Sequence, residues 1–280
     1  MRDGPEKASA FTLLVGAGRM GGALLKGWVA RGIAPVAAVE PAPSPELQRF
    51  ARRNAIRLLT KIDDAAGWSL SACVIALKPQ VLQSEAPNLR PIAQSGALML
   101  SIAAGTSIAA LRKAWGRDAA IVRAMPNTPG AIGRGISVLY APPGTRETLR
   151  ERSQTLLEGL GETLWVGRET LIDAVTAVSG SGPAYVFLLA ECLAHAARRE
   201  GLSGPVADRL ARITVSGAGA LLESDSREPA SLRRDVTSPG GTTEAALKVL
   251  TKNDAFGNLV VEAVAGARAR AAELRKRSEK

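Results

Sequence analysis

The apolar positions of the chain follow one pattern up to about residue 165 and another pattern beyond it. In the first part, short apolar runs alternate with segments whose apolar residues recur at helical spacing. That alternation is typical of strand–helix–strand units around a parallel sheet. After Val166 the chain continues in long segments rich in alanine and leucine with few β-branched runs, which predicts helices alone.

The two patterns predict two domains and a short leader. Strands are predicted at residues 11–15, 36–39, 72–76, 97–100, 120–123 and 136–140. Helices are predicted at residues 20–30, 45–53 and 107–115, and then at 183–200, 205–223, 243–251 and 255–276. We therefore predict a disordered leader at 1–9, an α/β Rossmann domain with a doubly wound, mostly parallel sheet at 10–167, and an all-α domain at 168–280.

Composition places the chain among ordinary globular proteins. With 280 residues, 46% of them hydrophobic, it is long enough for two separate cores. The apolar stretch at 11–15 is too short for a signal peptide, and no run of eighteen apolar residues occurs. These features predict a cytoplasmic protein that does not bind membranes.

The formal net charge of +10 changes this picture little, because only 4% of the residues are aromatic and no stretch interleaves arginine with stacking aromatics. We therefore predict no nucleic-acid partner. Much of the excess lies near the C-terminus at Arg268, Arg270, Arg275, Lys276 and Arg277, which we expect on a solvated helix face. A basic chain does suit anionic ligands such as dinucleotides and carboxylates.

Metal or thiol chemistry has little support in the sequence. Cys73 and Cys192 both lie in apolar runs, so we expect two buried, inert thiols in a reducing compartment. His195 is the only histidine, three residues after Cys192, and this pair is too small for a closed zinc site. No metal site is predicted.

A glycine-rich turn follows the first predicted strand. Gly16, Ala17, Gly18, Arg19, Met20 and Gly21 give the order Gly-x-Gly-x-x-Gly between a strand and a helix. Gly16 permits the tight turn, Gly18 lets a pyrophosphate approach the backbone, and Gly21 lets the helix pack on the sheet. The free amides of the helix start then face the anion. In this context the turn predicts a dinucleotide site.

Glu40 ends the second predicted strand, about twenty residues further on. An acidic side chain there typically accepts hydrogen bonds from the adenosine ribose hydroxyls. Its charge favours NAD over NADP, unless Ser44, Arg52 or Arg53 compensates a 2′-phosphate. An exposed glutamate without a coenzyme role is the alternative, so the preference between the two coenzymes stays open.

Two further strand ends face the same edge of the predicted sheet. The strand at 72–76 runs into Leu77, Lys78 and Pro79, and the strand at 97–100 leads to Ile102, Ala103 and Ala104. Ligands bind at this carboxyl edge in doubly wound sheets. Small residues at 103–105 would let a nicotinamide or ribose approach the backbone, whereas Lys78 is equally compatible with a surface cation.

Three strings of unusual composition identify a family resemblance. They are Arg-Ala-Met-Pro-Asn-Thr-Pro at 123–129, Val-Ser-Gly-Ser-Gly-Pro-Ala-Tyr at 178–185 and Val-Thr-Ser-Pro-Gly-Gly-Thr-Thr at 236–243. In this order behind the glycine-rich turn, they resemble the signatures of pyrroline-5-carboxylate reductases. The resemblance covers residues 11 to 270.

The resemblance implies a Rossmann domain and an all-α dimerisation domain. It also implies a reaction in which a hydride passes from NADPH or NADH to pyrroline-5-carboxylate, giving proline. It implies homodimers that often assemble further, commonly into decamers. Coenzyme contacts carry over to Gly16–Gly21, Ala76–Pro79 and Ile102–Ala104, and substrate contacts to Glu169, Thr242 and Thr243. At Asp235 the family often has asparagine or glutamine, which puts a ligand contact there in doubt.

The third string has a chemical rationale of its own. Ser238, Gly240, Gly241, Thr242 and Thr243 precede or begin a predicted helix, where amides and hydroxyls can receive a carboxylate. With the carboxylate fixed, positioning can supply much of the acceleration. Thr243 is the candidate for a hydrogen bond to the ring nitrogen. The same string is also compatible with a well-capped helix start in a loop.

Two other classes of function remain open from the sequence, a different reductase or dehydrogenase and a protein without catalysis. A related imine reductase or a β-hydroxyacid dehydrogenase shares the glycine-rich turn, but a hydroxyacid dehydrogenase usually needs a lysine base on the long helix, and residues 184–199 contain none. A catalytically inactive nucleotide sensor could keep the same fold, since a fold does not imply a function. Ligand binding without turnover would distinguish that sensor.

Overall fold

The computed structural model describes residues 10–279 of the chain, so the predicted leader at 1–9 lies outside the described residues. Within that range the chain divides into two compact units. The first unit contains residues 10–180 together with 267–279, and the second contains residues 181–266. The domain boundary expected after residue 167 stays a prediction.

An eight-stranded sheet forms the centre of the first unit. Its strands are β1 (Phe11–Val15), β2 (Val36–Val39), β3 (Arg57–Leu59), β4 (Leu70–Ile75), β5 (Leu98–Ser101), β6 (Ile121–Met125), β7 (Gly135–Tyr140) and β8 (Gly161–Trp165). Their order in the sheet is β3-β2-β1-β4-β5-β6-β7-β8. All neighbours run parallel except β6 and β7, which pair antiparallel. The predicted Rossmann fold is thus confirmed, with β3 and β8 as additional strands.

Helices cover both faces of this sheet. They are α1 (Arg19–Ala30), α2 (Pro45–Arg53), α3 (Pro79–Gln94), α4 (Ile108–Trp115), α5 (Glu147–Leu157) and α6 (Leu171–Val175). Because both faces are covered, the inner strands are apolar at nearly every position. Leu13 and Leu14 of β1 are both fully buried and belong to separate clusters on opposite faces.

Each of the two clusters contains a tryptophan with no exposed surface. Trp28 of α1 donates from Nε1 to the carbonyl of Leu156 at 2.7 Å, and Trp115 of α4 donates to the carbonyl of Ala86 at 2.9 Å. A buried indole N–H is costly without such an acceptor. The first unit therefore has a core that its own residues complete.

From residue 168 to residue 279 the described chain contains helices and no strand, as predicted. The π-helix Thr176–Gly180 follows α6, and α7 (Gly182–Arg199), α8 (Gly204–Ser224), α9 (Pro229–Asp235), α10 (Thr242–Leu250) and α11 (Ala255–Glu279) come after it. Pro183 and Pro205 lie in the first turns of α7 and α8. A proline is tolerated there because its missing N–H would have had no partner in the helix.

The second unit buries little of its own apolar surface. Its only buried hydrophobic residues are Ala194, Ala207 and Ala211, and only Ala207 has no exposed surface. Large apolar side chains are exposed along α7, α8 and α11, among them Phe187, Leu188, Leu210, Ile213, Leu221, Leu259 and Val261. Cys192 on α7 is exposed as well, which corrects the expectation of two buried thiols, whereas Cys73 is buried as expected.

One continuous helical stretch, Leu171–Arg199, is long and apolar enough to cross a membrane by length and composition, with a mean hydropathy of 1.3. Only 11% of its most apolar window is buried. Length and composition do not separate a membrane helix from a helix whose apolar face meets another subunit.

Candidate functional site

The glycine-rich turn between β1 and α1 is shaped by close backbone approaches. Gly16 has a φ of +92°, which a side chain rarely adopts, and a Cβ there would lie 3.0 Å from the carbonyl oxygen of Ala76. A Cβ at Gly21 would lie 2.0 Å from the carbonyl oxygen of Gly16. These two positions require glycine, because one meets the end of β4 and the other packs the first turn of α1 against the loop.

Gly18 differs from its two neighbours because a Cβ added there would meet no atom within 4 Å. It is the N-cap of α1, and no side chain caps this helix start among the described residues. The first amides of a helix have no partner inside the helix and carry partial positive charge. The turn therefore combines open backbone with helix amides, an arrangement that receives a phosphate.

Glu40 reaches into this turn. Its Oε2 accepts a hydrogen bond from the backbone N–H of Ala17 at 2.9 Å, and its own N–H donates to the carbonyl of Leu59 at 2.9 Å. The half-buried carboxylate is therefore fixed between the end of β2 and the glycine-rich turn. The sequence predicted both partners at this edge of the sheet, and the structure brings them into contact.

A cleft of about 210 Å³ opens beside the turn. It is lined by Ala17, Gly18, Arg19, Gly22, Ala23, Lys26, Ser44, Glu46, Leu47, Phe50 and Ala131. Lys26 and Glu46 form an exposed ion pair at 3.3 Å, and Ser44 accepts from the N–H of Leu47 at 3.2 Å as the N-cap of α2. Arg19 and Met20, the remaining predicted residues of the turn, begin α1.

The other two predicted coenzyme segments lie at the same edge of the sheet. Ala76 donates from its N–H to the carbonyl of Val15 at 2.9 Å, and Ile102 donates to the carbonyl of Ile75 at 3.0 Å. The ends of β1, β4 and β5 are therefore adjacent, with Leu77, Lys78 and Pro79 following β4 and with Ala103 and Ala104 following Ile102. Lys78 is exposed at the N-cap of α3.

Glu169, a predicted substrate contact, is engaged within the first unit. Its Oε1 accepts from Nη1 of Arg123 at 3.0 Å and from the N–H of Ile108 at 2.8 Å. Arg123 is 1% exposed. Burial lowers the pKa of Arg123, while the carboxylates of Glu169 and Asp173 act in the opposite direction. Glu169 thus links β6 to the N-terminus of α4, a role that the sequence did not reveal.

A second buried ion pair lies one helical turn later. Asp173 on α6 accepts from Nε of Arg275 on α11 at 2.9 Å, and the two side chains are 5% and 18% exposed. The hydrogen bond from Arg275 to Asp173 raises the pKa of this arginine, and burial partly opposes that effect. Arg275 is therefore not on a solvated face as predicted. The basic residues of α11 gave no signal that one of them points inward, because its partner is 102 residues away.

The predicted substrate segment of the second unit precedes α10. Gly240 has a φ of +71°, and a Cβ at Gly241 would lie 2.4 Å from Oγ of Ser238, so a side chain at either glycine would disturb the turn. The helix begins at Thr242, and no side chain caps its start in the described part of the chain. Glu244 accepts from the N–H of Gly240 at 3.0 Å. Exposed Thr242 and half-buried Thr243 thus lie at a helix N-terminus whose first amides have no side-chain cap.

Asp235, the doubtful contact, takes part in an exposed ion pair. Its Oδ2 accepts from Nη1 of Arg227 at 2.9 Å, and Arg227 also binds Asp225. Hydrogen bonds to both carboxylates raise the pKa of Arg227. In the described residues this interaction gives Asp235 a partner within its own unit.

Two of the three unusual strings meet in the first unit. A Cβ at Gly180 would lie 2.6 Å from Cε of Met125, so this glycine lets the end of β6 approach the π-helix. Asn127 also fixes the first string, since its Oδ1 accepts from the N–H of Ile136 at 2.9 Å. No group of three or more metal-binding side chains occurs in residues 10–279.

Comparison with known proteins gives this geometry a context. A family model described as pyrroline-5-carboxylate reductase dimerisation matches residues 169–274. A pyrroline-5-carboxylate reductase from Pseudomonas aeruginosa is 40% identical over 262 residues, which cover 93% of this chain and 95% of that protein. The chain is thus similar to a reductase along nearly its whole length.

Two solved structures of reductases are similar to the chain as well. A pyrroline-5-carboxylate reductase from Coxiella burnetii is 31% identical, with a TM-score of 0.87 over 95% of this chain and 99% of that one. The Plasmodium falciparum pyrroline carboxylate reductase, solved with NADP bound, is 27% identical, with a TM-score of 0.80 over 95% of this chain and 98% of that one. Both similarities extend over the two units.

Proposed function

We propose which residues carry out the reaction of this chain. The chain belongs to the pyrroline-5-carboxylate reductase family. The chain is an NAD(P)H-dependent oxidoreductase that reduces the C=N bond of the cyclic imine 1-pyrroline-5-carboxylate to give L-proline. We place this reaction in proline biosynthesis and in the cytoplasm. The residue assignments below rest on the geometry of each unit separately.

The coenzyme-binding residues are assigned to the carboxyl edge of the sheet. They are Gly16, Ala17, Gly18, Arg19, Met20, Gly21, Glu40, Ala76, Leu77, Lys78, Pro79, Ile102, Ala103 and Ala104. The observation that carries this assignment is the open backbone at Gly18 beside the uncapped start of α1. The residues present fit a dinucleotide, because the amides there suit a pyrophosphate and the carboxylate of Glu40 suits ribose hydroxyls.

The contacts of Glu40 favour NADH over NADPH. A 2′-phosphate near this carboxylate would face like charge, and two of the three side chains that could compensate already make other contacts. Ser44 caps α2, and Arg52 donates from Nε to the carbonyl of Gln48 at 3.4 Å. We therefore expect a higher kcat/KM with NADH, and we expect Glu40→Ser to shift the ratio towards NADPH by about tenfold.

Ser238, Gly240, Gly241, Thr242 and Thr243 are assigned to the substrate, together with Glu169. The N-terminus of α10 would hold the substrate carboxylate with backbone amides and hydroxyls. The hydroxyl of Thr243 would hydrogen-bond the ring nitrogen. The imine carbon accepts a hydride far better when that nitrogen is protonated, so a neutral hydroxyl, which tolerates the cation, suits this position.

When bound, the reduced coenzyme supplies the hydride. The protein contributes binding and orientation, which fix the reacting atoms and lower the entropic part of the barrier. This division of work suits a site without a histidine acid or a lysine base. The long helix α7 contains no lysine, which argues against the hydroxyacid dehydrogenase alternative.

We further propose that the chain forms a homodimer through residues 169–274 and that dimers assemble into decamers. The region matched by the dimerisation model includes the helices with the exposed large apolar side chains. Surfaces of this kind mark subunit interfaces. Native mass spectrometry over a range of protein concentrations tests both steps, and a chain that stays monomeric would refute them.

Steady-state oxidation of NADH and NADPH with pyrroline-5-carboxylate tests the residue assignments. Thr243→Ala should lower kcat/KM for the imine by roughly tenfold to a hundredfold and leave the coenzyme dissociation constant unchanged. Thr251→Ala, at the other end of α10, is the matched control and should resemble the unmodified protein. If Thr243→Ala also keeps its turnover and imine affinity, Thr243 has no part in the reaction.

A further inference from the structure

The loop between β5 and α4, residues 102–107, has local side-chain hydrogen bonds only at its two ends, where Ser101 accepts from the N–H of Ala103 at 3.4 Å and Ser107 accepts from the N–H of Ala110 at 3.1 Å. Ala103, Ala104 and Gly105 have small side chains or none, and Gly105 has a φ of +68°. Ile102 holds the start of the loop through its hydrogen bond to Ile75. The middle of the loop, Ala104 to Thr106, is therefore positioned by what packs against it in the first unit.

The end of α11 covers the loop. A Cβ added at Gly105 would lie 2.8 Å from Cβ of Leu274, so the helix packs directly on the loop backbone. Ser278 accepts from the N–H of Ser107 at 3.3 Å, and its hydroxyl donates to the carbonyl of Arg275 at 2.7 Å. The end of α11 therefore packs against residues 105–107.

Two carboxylates one helical turn apart hold the structures that flank the loop. Asp173 binds Arg275 of α11, and Glu169 binds the N–H of Ile108 at the start of α4. Arg275 also pairs with Glu279 at 3.2 Å. Because the ion pair of Asp173 and Arg275 is largely buried, it is far less screened than a surface pair.

We propose that Arg275 is a positioning residue for the coenzyme: by binding Asp173 it holds α11 against residues 102–107 and so fixes the backbone that receives the nicotinamide end. This inference rests on the proposed assignment of Ile102, Ala103 and Ala104 to the coenzyme. In this proposal Arg275 contacts neither coenzyme nor substrate. It acts through Leu274 and Ser278, its neighbours on the same helix.

Arg270 provides a matched control on α11. It lies on the part of the helix that belongs to the first unit, and within residues 10–279 its ion-pair partner is Glu273, three residues away, at 2.8 Å. Both of these side chains are more than half exposed. Arg270→Ala removes the same chemical group from the same helix without touching the contact to Asp173.

The affinity for the coenzyme distinguishes a positioning role of Arg275 from a role in fold stability alone. Arg275→Ala should raise the dissociation constant and the KM of the coenzyme by about tenfold while kcat and the KM of the imine change less than about threefold. Arg275→Lys should recover part of the affinity, and Arg270→Ala should leave it unchanged. Dissociation constants measured by quenching of coenzyme fluorescence need no turnover, so they stay informative even if the proposed reaction fails.

Arg275→Ala also leaves Asp173 buried without its partner, which by itself destabilises the fold. The double variant Asp173→Asn with Arg275→Ala removes that buried charge. We expect the double variant to regain thermal stability but not coenzyme affinity. If affinity returns together with stability, or if Arg275→Ala binds the coenzyme normally, the ion pair only stabilises the fold and the proposal is wrong.

Discussion

The two units of the chain bury their apolar side chains to very different extents. In the first unit, Trp28, Trp115 and many leucines are fully buried on both faces of the sheet. In the second unit only three alanines are buried hydrophobic residues, while Phe187, Leu221 and Val261 are each more than 60% exposed. One unit thus completes its core alone, whereas the other presents a surface that suits a second copy of the chain.

Paired leucine truncations test this difference with the largest expected effect. Leu98→Ala, in the centre of the sheet, should lower the free energy of unfolding by about 2–5 kcal/mol at every protein concentration. Leu210→Ala, half exposed on α8, should cost less than about 1 kcal/mol in dilute protein and more as subunits associate. Urea unfolding at two protein concentrations measures both. A cost for Leu210→Ala that is independent of concentration would contradict the interface.

Paired glycine substitutions test the same difference between the two units in another way. Gly21→Ala puts a methyl group against the carbonyl of Gly16, so it should weaken coenzyme binding by about a hundredfold. Gly217→Ala, in α8, meets no atom within 4 Å outside the backbone of its own helix and should stabilise dilute protein by roughly 0.5–1 kcal/mol. Coenzyme titration and thermal unfolding are the respective measurements. Normal coenzyme binding by Gly21→Ala would show that the turn can shift.

The smallest expected effect is a difference in how fast the two cysteines react with a thiol reagent. One cysteine lies in each unit. Burial raises the pKa of Cys73 from its ordinary value of 9.0 to about 12, so a thiol reagent near pH 8 should not reach it in the folded protein. Cys192 is exposed in the isolated chain and should react, more slowly as protein concentration rises and subunits cover α7. Thiol counts before and after unfolding test this. Fast reaction of two thiols in the folded protein would contradict the burial of Cys73.

The raised pKa of Cys73 also sets a pH dependence. Since the folded state keeps this thiol protonated, its contribution to stability is fully present below pH 9.0 and is lost as pH rises towards about 12. Cys73→Ser keeps a similar size without titrating in this range. The difference in unfolding free energy between the two proteins should therefore diminish over that interval.

Most strands and helices of the fold could be predicted from the local pattern of apolar residues. The strands at residues 11–15 and 36–39 were predicted with their observed bounds, because each is a short apolar run next to a turn. The strand β3 has only three residues and begins at the exposed Arg57, so it lacks an apolar run. The strand β8 alternates half-buried and exposed positions at the opposite edge of the sheet. Both edge strands become recognisable only through their neighbours.

The candidate site was predictable where it follows from a motif. The position of Glu40 at the same sheet edge as the glycine-rich turn follows from the spacing of a dinucleotide fold, whereas its hydrogen bond from Ala17 was not predicted. The contacts of Arg123 with Glu169 and of Asp173 with Arg275 join residues that are 46 and 102 positions apart. No periodicity within one segment encodes such pairs, because they arise from tertiary packing.

The division of the first unit into residues 10–180 and 267–279 has a consequence for synthesis. A ribosome extends the chain at ~5–20 residues per second, so the end of α11 emerges on the order of ten seconds after Gly180, when the whole second unit has been made. During that interval residues 102–107 lack the helix that covers them. We expect ribosome-bound chains that end near residue 260 to be cleaved by protease in this loop, and full-length chains to resist.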